Sequence, residues 1–231
     1  MTRTTNARLA GFTFLFYIAV GITEMILLGA ATRGAGTAEK LANLAQHAPQ
    51  MRLAAVLSLV TTVCALVLAV TLYALTRDYD RDLALLALLC RVLEGVNNSA
   101  SVVGKLQLLS VATAAAGAAA PDAAAANALG SFLMHERIGN AAIFAVGSTI
   151  YCYLFLRART IPAWLASFGL LASLLLLVGL PLQVLRVMEG GFNWFLWFPA
   201  LVFEVIFALW LLIKGVAAQP IRPTLVAEGV A

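Results

Sequence analysis

The chain predicts an all-α, polytopic transmembrane bundle of six spans with both termini on the cytoplasmic side. Three observations carry this. Six apolar stretches, residues 9–31, 53–76, 83–111, 138–156, 161–185 and 192–213, are each near or above the roughly 20 residues that a bilayer-crossing helix needs. Apolar residues make up 62% of the 231 residues and charged residues 11%, whereas soluble domains are about half apolar and a quarter charged. Finally, the basic residues are skewed to one side. Arg3, Arg8, Arg77, Arg81, Arg157, Arg159, Lys214 and Arg222 fall at the termini and at the second and fourth connections, against Arg33, Lys40, Arg52 and Arg186 at the other three. The positive-inside rule makes the richer side cytoplasmic, and the expected location is the inner (plasma) membrane.

The first span follows Arg3 and Arg8 and ends in Gly-Ala-Ala, like a signal-peptide cleavage site. Its apolar run exceeds the usual 7–15 residues of such a segment, so it reads as a retained helix. The outward loop 32–50 predicts a short amphipathic helix over Thr37–Gln46 lying on the membrane surface. The turn from Arg77 to Asp82 is short and highly charged, which makes spans two and three antiparallel neighbours. The Ala- and Gly-rich connection of about 112–130, broken at Pro121-Asp122, reads as an extension of span three followed by a helical or mobile lid. In the fourth connection Thr160 is an expected N-cap, with Pro162 in the first turn of span five. Pro181 and Pro199 predict kinks or early helix ends. Trp164, Trp194, Trp197 and Trp210 sit near span ends, where aromatic belts form. Residues 1–216 thus form a single domain, and 217–231 has too few apolar residues to pack and reads as a disordered cytoplasmic tail.

The chemistry sits on span three. Arg91, Glu94, Asn98, Ser101 and Lys105 recur at intervals of three and four, which places them within an arc of roughly 80°. Charges at membrane depth cost at least ~2.5 kcal/mol each on insertion scales, so this stripe must face the bundle interior or a water-filled cavity. Glu24 counts to the level of Asn98, and Glu204 lies near the middle of span six. His135, Glu136 and Arg137 open span four on the outer side. Together they describe a polar column from mid-membrane outward, with Arg91 pairing with Glu94 or Glu204 and Lys105 with Glu24 or Glu136. Gly95 with Ser99, and Ala100 with Gly104, are small residues four apart that favour close helix contact.

Several chemistries find no support. Cys64, Cys90 and Cys152 lie inside spans without a CxxC pair, so neither a disulfide framework nor a zinc knuckle is expected. His135 lacks the second histidine or cysteine at ligand spacing that a zinc site takes, and no metal or cofactor is expected. Gly147-Ser148 is no nucleophile motif, and the chain has neither a P-loop nor a dinucleotide fingerprint. The basic residues form no cluster suited to nucleic acid.

Four segments carry a family resemblance: Arg8-Leu-Ala-Gly11 opening span one, Arg52-Leu53 before span two, Cys90-Arg-Val-Leu-Glu94 in span three, and 199–215 with Glu204 and a terminal Leu-Trp-Leu-Leu-Ile-Lys-Gly215. In order and spacing they resemble the bacterial integral-membrane family named domain of unknown function 4386. The resemblance spans about residues 8–215, implies that Arg91, Glu94 and Glu204 act as a unit, and implies no activity. The reading drawn from the residues is a non-catalytic membrane protein whose cluster of Glu24, Arg91, Glu94, Asn98, Ser101, Lys105, His135, Glu136 and Glu204 binds a small polar or lipid-headgroup ligand, transport being one use of such a site. The alternative is a structural or regulatory subunit whose charges fix packing, and a membrane-embedded enzyme comes third.

Overall fold

The computed structural model describes residues 2–117, 122–134, 138–185 and 192–217. Among them no strand occurs, and eight helices follow in order: α1 (Arg3–Ala31), α2 (Thr37–Gln46), α3 (Ala48–Thr76), α4 (Arg81–Ala115), α5 (Ala123–Leu133), α6 (Ile138–Ala158), α7 (Ala163–Val184) and α8 (Phe192–Ile213). Six of these, all except α2 and α5, are long and apolar enough to cross a membrane. The chain is a multi-pass membrane protein. Pro121, His135, Glu136, Arg137, Arg186 and the expected tail beyond Ala217 lie outside the described residues, as does the side chain of Trp194.

The six long helices form a ring in sequence order. α1 packs on α3, α3 on α4, α4 on α6, α6 on α7 and α7 on α8, and α8 returns to α1. Lipid is as apolar as leucine, so such helices associate through close packing and internal polar contacts rather than through the hydrophobic effect. The outward faces accordingly keep large apolar residues exposed, among them Val63, Val70, Leu171 and Val178. The ring closes where Gly11 of α1 meets α8: a Cβ on Gly11 would stand 2.6 Å from both the Ala208 carbonyl oxygen and the Leu212 nitrogen. Only glycine admits so close a backbone approach. Phe14, Phe155, Phe203 and Phe207 fill the interior beside this seam.

The end that carries the N-terminus is tied down by polar contacts. Asp80 caps α4 by accepting from the Leu83 N–H at 3.0 Å. Arg3 pairs with Asp78 at 3.3 Å, and Arg157 donates to the Tyr79 hydroxyl at 3.1 Å. Gly215, at φ 73°, ends α8 in the left-handed conformation that suits glycine after a helix.

At the far end α2 lies across the ring. Its Leu41 and Leu44 are buried against Met51, Leu108 and Leu109 of α3 and α4, while Asn43 Nδ2 donates to the carbonyls of Ala30 and Ala31 at 3.0 and 3.1 Å. Those are orphan carbonyls of the last turn of α1, which a buried helix end must satisfy. α5 packs over α2, bringing Gly130 against Leu41.

One local expectation needs correction. Thr160 does not cap α7: its hydroxyl is buried without a hydrogen-bond partner among the described residues. Pro162 takes the N-cap position, with ψ at 136°, because Arg159 turns left-handed at φ 52° and delays the helix. Pro181 and Pro199 stand inside α7 and α8, neither of which ends at its proline, so of the two expected effects the early helix end does not occur and the kink is the one that a proline inside a helix still implies. Ala100 is exposed, and Gly104 borders a cavity. Gly95 packs closely on α3: a Cβ there would stand 3.4 Å from the Thr62 carbonyl oxygen and 3.5 Å from the Ala65 Cβ. Of the tryptophans, Trp164 is 60% exposed as a belt residue is, whereas Trp197 stacks on Phe144 and Trp210 packs on the core.

Candidate functional site

Arg91 is 2% exposed and among the largest fully buried side chains. It sits 10 residues after Arg81, about 15 Å along α4 at 1.5 Å per residue and so near half of a ~30 Å hydrocarbon core. An unpaired guanidinium there would be strongly disfavoured, and the structure surrounds it. Its Nη1 donates to Glu94 Oε2 at 2.8 Å, one turn along the same helix. Its Nη2 stands 3.7 Å from Glu204 Oε1 of α8. The guanidinium carbon also lies 5.3 Å from the Phe14 ring centroid and 5.0 Å from that of Phe144, within cation–π range. Tyr17 of α1 donates to the other Glu94 oxygen at 2.6 Å. One cation thus serves two carboxylates, and α1, α4, α6 and α8 all contribute to its cage.

The stripe continues along α4 toward the far end but changes character. Asn98 Oδ1 accepts from Asn140 Nδ2 of α6 at 3.2 Å, and Asn140 Oδ1 accepts from Asn97 at 3.3 Å. Beyond this, Lys105 Nζ makes three contacts: Glu24 Oε1 at 2.8 Å, Ser58 Oγ at 2.9 Å and Ser101 Oγ at 3.0 Å. Ser58 donates onward to Glu24 at 2.9 Å. The Lys105 and Glu24 side chains are 12% and 17% exposed, against 2% and 3% for Arg91 and Glu94.

Two cavities explain the difference. One of about 290 Å³, between α1, α3 and α4, is lined by Tyr17, Gly21, Glu24, Thr61 and Asn98. A second of about 420 Å³, at the far end beneath α2 and α5, is lined by Lys105, Ser101, Lys40, Thr32 and apolar residues. Leu28 borders both. The Lys105–Glu24 pair therefore sits between two spaces, with its carboxylate facing one and its ammonium the other.

The column read from the sequence is two clusters. Arg91, Glu94 and Glu204 form a closed one, buried among the helices. Glu24, Ser101 and Lys105 form an open one, with Asn98 linking them along α4. His135 and Glu136 lie outside the described residues. Sequence reasoning missed Tyr17, Phe14, Phe144, Ser58 and Asn140. Tyr17 was findable, being seven residues from Glu24 and so on the same face of α1, and Asn140 stands out in an apolar helix. Phe14 and Phe144 carry no mark that separates them from phenylalanines facing lipid.

Fold and site define a multi-pass α-helical membrane protein with charged residues buried at mid-span. The chain belongs to the family described as Domain of unknown function (DUF4386), whose model matches residues 9–215. No curated protein and no solved structure matches it.

Proposed function

We propose that this is a non-catalytic protein of the inner membrane in which the Glu24–Lys105 cluster binds a small polar or lipid-headgroup ligand. One observation carries the reading: among the described residues, Glu24 borders one cavity and Lys105 a second, so that this ion pair has open space on each side. Ionisable residues that face a cavity from membrane-spanning helices are where ligand and ion sites are found in such proteins. The Arg91 cluster supports the other reading for itself, that of packing, because its partners and two aromatic rings enclose it.

The test is retention. Purified wild-type protein should keep a bound small molecule or lipid through detergent exchange, identified by mass spectrometry. The E24Q/K105M double variant, which removes both charges together, should lose it while melting within a few degrees of wild type. A double variant that retains the same molecule would remove this cluster from the binding role.

Orientation belongs to the same proposal. With Arg3, Arg8, Arg77, Arg81, Arg157, Arg159 and Lys214 at one end, that end is assigned to the cytoplasm and α2 and α5 to the exterior. The native cysteines are all buried, so single cysteines introduced at Thr37, Asp122 and Asp78 report cleanly. In intact cells an impermeant thiol reagent should label the first two and leave the third unmodified. Labelling at Asp78 alone would invert the orientation.

A further inference from the structure

The far-end cavity says what kind of ligand fits. Among its described lining residues are two ammonium groups, Lys40 and Lys105, and no carboxylate, together with the hydroxyls of Thr32 and Ser101. The rest of the wall is apolar, including Met51 and Leu108. Lys105 lies 24 residues after Arg81, about 36 Å along α4 at 1.5 Å per residue. That exceeds the ~30 Å of hydrocarbon and brings Lys105 to headgroup level. Lys40 comes from α2, whose buried Leu41 and Leu44 hold it across this end of the ring as an interfacial amphipathic helix lies.

Two cations and two hydroxyls over apolar walls, at the depth of lipid phosphates, match an amphiphile with an anionic headgroup. All three Lys105 donors are already engaged, by Glu24, Ser58 and Ser101. Lys40, by contrast, makes no ion pair among the described residues. We infer that the cavity binds an anionic phosphate-bearing lipid, with Lys40 meeting the headgroup first and Lys105 exchanging Glu24 for the phosphate. This rests on the proposed ligand-binding role of the Glu24–Lys105 cluster and names its ligand class. Glu24 is then a competitor of the ligand rather than a contact to it, which gives the inference an unusual sign: neutralising a residue of the site strengthens binding.

The test titrates the detergent-solubilised full chain with phosphatidylglycerol, with phosphatidylcholine and with soluble glycerol phosphate, and counts bound molecules by native mass spectrometry. Phosphatidylglycerol should bind about tenfold or more tighter than phosphatidylcholine. K40Q, a change at a half-exposed position, should weaken it about fivefold, the effect expected of one lysine near an anionic surface. E24Q should tighten it, and adding K105M to E24Q should abolish that gain, a comparison that leaves no glutamate unpaired. Glycerol phosphate binding as tightly as the lipid would overturn the lipid assignment and leave a soluble phosphate as the ligand. If E24Q abolishes binding and the lysine variants do not alter it, the ligand is neutral or cationic, and the anion inference fails while the binding role stands. If neither lipid nor headgroup binds and the variants change only melting temperature, both fail.

Discussion

Arg91→Leu is expected to destabilise the protein more than Arg91→Leu combined with Glu204→Gln. Removing the guanidinium leaves Glu94 and Glu204 buried, and removing one partner of a buried charge pair costs about 3–5 kcal/mol in soluble proteins. Glu94 keeps its hydrogen bond from Tyr17, so the heavier loss falls on Glu204, whose only ion-pair partner among the described residues is Arg91. Replacing that glutamate with glutamine should therefore recover part of the loss. Thermal unfolding in detergent, followed by loss of monodisperse protein, reads the difference. A double variant no more stable than Arg91→Leu would show that the 3.7 Å approach carries no coupling.

Gly11→Leu should be equally damaging for a steric reason. The atoms that a Cβ would meet at 2.6 Å are backbone atoms of α8, which no rotamer change can move aside. α1 and α8 must separate, and the ring opens at the one seam that joins its first and last spans. Overpacking usually costs about 1–3 kcal/mol, and contact with rigid backbone puts this case at the upper end or beyond. Gly29→Leu on the same helix meets nothing within 4 Å and serves as the control, expected to melt close to wild type. Equal melting of the two variants would refute the close α1–α8 approach.

Span count and the α2 helix were legible in the sequence because hydropathy over about 20 residues and amphipathic periodicity over 10 are local properties. The polar stripe on α4 was legible for the same reason: helical spacing fixes which residues share a face before any partner is known. Its division was not. Whether Arg91 faces a carboxylate and two rings or a water-filled space depends on α1, α6 and α8, and phenylalanines 14 and 144 look in sequence like any lipid-facing residue. The Thr160 cap failed because the sequence shows a capping residue before a proline but not the left-handed Arg159 that turns the chain first.

The spacing of Arg91 and Glu94 also bears on how the chain is made. The two are three residues apart on one helix and in contact at 2.8 Å, so they can neutralise each other as soon as α4 is helical. Glu204 arrives three spans later, on α8. During synthesis the mid-span charges of α4 can thus enter the bilayer already matched, without waiting for a distant partner to offset the several kcal/mol that a lone charge costs there. The last helix then docks on a pair already formed, so the order of insertion and the order of charge compensation run in the same direction along the chain.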